Sequence, residues 1–161
     1  MTNAYIKDMF IRDMFELVRT KPFNRESAEH IIAHIDDVNK VHIGRHNSPA
    51  LFLGDAVDYC NLDAVRFLLE HGADPNVIPE EQCASCPIWL TIFPCASDEK
   101  EEKLEILKLL LQFGGDPTLM IEGQRVVDEL ECSLEDWLEK SALEYVTEAL
   151  KLMKAHIGEC R

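Results

Sequence analysis

Apolar residues fall at helical spacing in several separate runs along this chain, and each run closes on a turn signal. In Val65–Asn76 (VRFLLEHGADPN) and just before it, Leu62, Val65, Leu68 and Leu69 share one helical face, while Arg66 and Glu70 lie on others. Gly72 follows where a residue of positive φ is needed to stop a helix, and Pro75 bars continuation. Leu107–Thr118 (LKLLLQFGGDPT) repeats the logic, with Leu104, Leu107, Leu110, Leu111, Gly114 and Pro117 in the matching roles. Matching Gly72 to Gly114 gives a period of 42 residues. Ala28–Asn39 is a third copy at an offset of 37: Ile31 and Ile32 replace Leu68 and Leu69, and Asp37-Val38-Asn39 replaces Asp74-Pro75-Asn76. Ile35 stands at the glycine's place, so that helix has to end differently.

The segments between these runs predict partner helices. Tyr5–Arg19, with Ile6, Met9, Phe10, Met14, Phe15, Leu17 and Val18, reads as a first helix that turns at Lys21-Pro22-Phe23-Asn24. Ser48-Pro49 offers an N-cap followed by proline at the first helical position, which predicts a helix over about Pro49–Tyr59. Asp98 with Glu101 gives a capped start to the helix after the Phe93–Lys103 connection. Near the C-terminus, Ser141-Ala142-Leu143-Glu144 is a capping-box pattern, and Leu143, Val146, Leu150 and Met153 line one face behind it. Lys151 and Lys154 fall on the solvent side and suit the helix's C-terminal dipole.

The repeated helix–Gly–Asp-Pro unit resembles the ankyrin repeat, in which a β-turn finger leads into two antiparallel helices over about 33 residues. Cys86-Pro87-Ile88-Trp89-Leu90 resembles the family's Thr-Pro-Leu-His opening, with Trp89 in the histidine's place. Gly123–Asp128 resembles a last finger and first helix, with Asp128 at that position. The extra length over the usual unit falls partly in the finger before Cys86 and mostly in Phe93–Lys103. The resemblance implies an all-α ankyrin-repeat solenoid of about four stacked helix pairs with β-turn fingers, a single domain over 1–161. Its approximate units are an N-terminal cap at 3–39, two repeats at 40–76 and 77–118, and a C-terminal cap at 119–158. In such solenoids the concave side of fingers and first helices holds the partner. By resemblance, the partner-binding candidates are His42, Arg45, His46 and Asn47 on one finger, Glu80, Glu81 and Gln82 on the next, and Asp55 and Asp58 on a first helix.

Composition narrows the function. The 161 residues are 47% hydrophobic, enough for a core, yet no apolar run reaches the length needed to span a bilayer. The N-terminal stretch mixes charge into its apolar residues from Lys7 onward, unlike a signal peptide, so a cytoplasmic location is expected. The six cysteines are accordingly expected as thiols. A net charge of −14 should repel nucleic acid and anionic membrane; it either keeps the chain soluble or attracts a basic partner protein.

Two constellations invite chemistry. His30/His34 and His42/His46 are each spaced i,i+4, a possible metal half-site on a helix, but HIIAH lacks the glutamate of HExxH and His42/His46 fall in a finger. Cys83-Ala84-Ser85-Cys86 has no second CxxC to complete a zinc site and no βαβ frame for redox work, and Cys86-Pro87 suits a helix start. The acidic stretches at 98–103 and 129–139 read as solvated surface, and Trp137 as core. Phosphate-cradle and hydrolase-elbow motifs are absent. The sequence therefore predicts a monomeric, non-catalytic protein–protein interaction module without cofactor or metal. The alternatives are an acidic inhibitor or immunity-type protein masking a basic enzyme, and a metal-binding regulatory protein using the His or Cys groups.

Overall fold

The computed structural model describes residues 3–43, 49–79, 86–93, 99–121, 123–133 and 140–159. Among these, helices come in hairpins: α1 (Asn3–Arg19) with α2 (Arg25–Ile32), α3 (Phe52–Asp58) with α4 (Leu62–Glu70), α5 (Pro87–Leu90) with α6 (Lys100–Gln112), and α7 (Val126–Ser133) with α8 (Lys140–Glu159). First helices stack on first helices, α1 on α3 on α5, and second helices on second helices, α4 on α6 on α8. Two antiparallel two-residue ribbons project between hairpins, β1 (His42–Ile43) with β2 (Pro49–Ala50) and β3 (Met120–Ile121) with β4 (Gln124–Arg125). Among the described residues the fold is all-α apart from these fingers. One apolar cluster runs through the stack, including Phe52, Phe67, Leu68, Ile88, Leu107, Leu110, Leu130, Tyr145 and Met153.

The glycine stops are as the pattern predicts. Gly72 has φ +86° and Gly114 φ +89°. Around each, two hydrogen bonds take up carbonyls of the last helical turn. Gly72 N donates to Leu69 O at 3.1 Å and Ala73 N to Leu68 O at 3.0 Å; Gly114 N donates to Leu111 O at 3.1 Å and Gly115 N to Leu110 O at 2.8 Å. Helix α2, without a glycine, ends on tight three-residue turns instead, His34 N to Ile31 O and Ile35 N to Ile32 O.

Past each stop the chain makes an Asx turn, in which Asp37, Asp74 and Asp116 accept from the backbone N–H of Asn39, Asn76 and Thr118 at 2.8–2.9 Å. The asparagines then reach the following unit. Asn39 Nδ2 donates to Gly72 O at 3.0 Å and its Oδ1 accepts from Asp74 N at 2.7 Å. Asn76 does the same with Gly114 O and Asp116 N, both at 2.8 Å. The carbonyls of Pro75 and Pro117 accept from Ile88 N and Val127 N in the first turns of α5 and α7, amides that a helix start otherwise leaves unpaired. Asn61 caps α4 through Ala64 N, and its amide donates to Val18 O and Thr20 O at the end of α1.

Several boundaries differ from the sequence reading. Pro49 lies in β2, opposite Ile43, and α3 begins three residues later with Leu51 extended as its N-cap. Proline tolerates that place because a short edge strand asks little of its missing N–H; Ser48 lies outside the described residues. Helix α6 starts at Lys100 after Glu99, which makes no side-chain cap, while Asp98 lies outside the described residues. The first turn of α6 faces Lys21, whose Nζ lies 2.9 Å from Glu102 and 3.5 Å from Glu99. Ser141 falls within α8 rather than at its cap, and Leu143 is exposed; the inward face of α8 is Tyr145, Val146, Ala149, Leu150 and Met153. The Tyr145 hydroxyl donates to Thr91 O, tying α8 to the preceding unit. Trp137 lies outside the described residues.

Because Asn76 makes two inter-unit bonds at once, Asn76→Ala should lower the free energy of unfolding by about 1–3 kcal/mol in urea titration, with the helical spectrum retained. Loss below a few tenths of that would show that the bridge is incidental.

Candidate functional site

The open side of the stack carries a groove of about 570 Å³ between α1 and the first finger, walled by Asp8, Ile11, Arg12, Phe15, Glu16 and Arg19 on the helix and by His42 and Ile43 on β1. Arg19 ends α1 and spans to α3: Nε donates to Asp55 Oδ2 at 2.7 Å and Nη2 approaches the same oxygen at 2.5 Å. Its guanidinium lies 5.3 Å from the Phe15 ring centre and 5.7 Å from that of Tyr59. Both charges are mostly covered, with 11% and 18% of their side chains exposed. Burial pushes Asp55's carboxyl above the usual range, and Arg19 opposes the shift without cancelling it. The pair therefore fixes geometry more than it stabilises.

His42 sits at the base of the finger with its ring 5.0 Å from Phe52 and 6.1 Å from Phe15, centre to centre. Its Nε2 is shielded from solvent and has no hydrogen-bond partner among the described residues. Burial, and secondarily Lys40, hold the imidazole below its ordinary value of 6.5, with Asp37 opposing. A ring kept neutral in this way is a wall of the groove, not an exposed contact.

Of the residues the sequence nominates, His42 and Asp55 are thus half-buried structural members beside the groove, and Asp58 is exposed at the end of α3. Arg45, His46, Asn47, Glu80, Glu81 and Gln82 lie outside the described residues. Sequence reasoning missed Arg19, Phe15 and Ile43; the signal was an arginine in the last turn of α1, one turn beyond Phe15, which only tertiary contact reveals as Asp55's partner. His30 and His34 gather around Phe10, the His34 ring stacking on it at 4.5 Å and the two imidazoles 5.4 Å apart. Among the described residues no group of three or more His, Cys, Asp or Glu is placed to hold a metal ion. Cys86 is buried at the start of α5, and Cys83 lies outside the described residues. No helix among the described residues is long and apolar enough to cross a membrane.

Stacked helical hairpins joined by projecting fingers define a helical repeat solenoid, a scaffold class. The ankyrin repeat family model matches residues 51–78, the stretch from the N-cap of α3 to just past the Asx turn after α4, and this match supports an ankyrin repeat protein. Proteins of this family generally serve as interaction modules and generally lack catalytic activity. No curated protein matches the chain.

His42 generates a pH prediction. With its folded value depressed, the unfolded chain takes up the proton first, so stability is full above about pH 6.5 and declines as pH falls below it. His42→Phe should reduce the difference in urea midpoint between about pH 8 and about pH 5, leaving the midpoint at the higher pH nearly unchanged. An unaltered difference would remove His42 from the acid response.

Proposed function

We propose that this chain is a non-catalytic binding module that grips a basic protein on the side built by α1, α3 and the fingers. The observation behind it is the groove between α1 and the first finger, where Phe15, Ile11 and Ile43 supply apolar surface and Arg19–Asp55 a fixed charge pair. Its walls are packed helix and ribbon, so a partner would meet a preformed surface and little ordering entropy would be lost. The net charge of −14 favours a basic partner and supports an inhibitor or immunity-type role, in which an acidic face covers a basic enzyme.

The test is amide hydrogen exchange on the complex with a stoichiometric partner recovered by affinity capture. Protection should fall on α1, the first finger and α3, and raising salt from about 0.05 to about 0.5 M should weaken association by about tenfold or more. Protection confined to the second helices, α4 and α6, or salt-insensitive binding would contradict the reading.

A further inference from the structure

The Asx turns put the fingers in register. Two residues beyond Asn39, Asn76 and Thr118 stand Val41, Ile78 and Met120, exposed at 36%, 38% and 56%. The next position turns inward in every unit: His42 packs on Phe15 and Phe52, while Pro79 and Ile121 are buried. An exposed position followed by a covered one recurs in all three units, which gives the three apolar side chains a common outward sense. Single exposed apolar residues need no explanation, but equivalent ones on successive stacked units form a row.

The margin of the row carries three aspartates, against Lys40 beside Val41 and Arg125 opposite Met120, the latter already paired with Asp128. Asp37, Asp74 and Asp116 stand four residues before each apolar side chain and are exposed, with one carboxylate oxygen accepting the turn's N–H. Together with the chain's net −14 this margin selects a cationic occupant and disfavours a second copy of the chain. Spacing limits the occupant further. Packed helices lie about 8–10 Å apart, so units recur at about that interval. A polyproline-type extended segment rises about 3.1 Å per residue with three residues per turn, returning to one face after about 9 Å. A β-strand returns after about 6.7 Å and drifts out of phase.

We propose that Val41, Ile78 and Met120 form a docking strip for an extended basic segment of another protein, with an apolar side chain at every third position and Lys or Arg between. The strip deepens the binding-module reading and rests on it.

The test uses a fluorescein-labelled peptide of four Leu-Lys-Lys triplets, a peptide of the same composition with its leucines at alternate positions, and a longer helical lysine-rich peptide with leucine at every seventh position. Fluorescence anisotropy should show the triplet peptide binding about tenfold more tightly than the alternating one, and the V41S/I78S/M120S variant should lose that preference. Val41 and Ile78 are nearly two-thirds covered, so the melting profile of the triple variant is compared with the parent's, and M120S alone, at the most exposed of the three positions, should weaken the preference without lowering the melting temperature. Equal affinity for the two extended peptides, a preference that survives in the variant, or tighter binding of the helical peptide would overturn the strip. So would sedimentation showing a dimer that the variant dissolves. If the variant still gives salt-sensitive protection over α1 and the first finger with the captured partner, the strip fails while the module stands.

Discussion

The structure depends on how the polar backbone at each hairpin end is satisfied by the hairpin before it. A helix stopped by a left-handed glycine turns its last carbonyls and the following amides toward solvent and the neighbouring unit. Asn39 and Asn76 each supply one donor and one acceptor to the pair that needs them, the glycine carbonyl and the amide two residues on. Both groups must be met by one side chain, so the spacing between units is fixed as well as their cohesion. Apolar burial between the helices supplies most of the stabilisation but is far less directional. The asparagine bridge turns adhesion into register, and register places first helices over first helices and fingers in line.

The ends of the stack follow from the same constraint. Thr118 takes the asparagine's place in the last Asx turn, its hydroxyl bonding back to Asp116, and the chain goes on into the β3–β4 ribbon and the longer helix α8. Tyr145 to Thr91 and the Lys100–Glu144 pair then attach that helix to its neighbour. At the other end Asn61 completes the C-terminal carbonyls of α1, and Arg25 and Glu29 meet Glu70 and His71 across the second helices. The Arg19–Asp55 pair joins the first helices in the same region, so the groove wall is braced from both sides.

Much of this was legible in the residues. Gly72 and Gly114 could be read as stops because positive φ is so much easier for glycine than for other residues, and Asp-x-Asn at 37–39 identified a unit that has no glycine. The bridge itself was not legible, since nothing local in Asn39 says that its partner is Gly72. Ser48-Pro49 misled because serine before proline is compatible with a helix start and with an edge strand, and the choice was made by pairing with His42–Ile43. Leu143 misled because a one-face pattern cannot say where on α8 the neighbouring hairpin ends. Of the site, the fingers were legible by resemblance, whereas Arg19 with Asp55 and the inward turn of His42 depend on contacts between distant segments.

The most direct measurement is native-state hydrogen exchange at two amides, Asp74 and Asp116, whose residues are exposed yet whose N–H groups donate to Asn39 and Asn76. The account predicts both amides slowed about a hundredfold or more against the unstructured rate, with opening energies approaching those of the adjoining helices. Exchange of either at the rate of an open loop would mean that the units are held by apolar contact alone, and the register would need another cause.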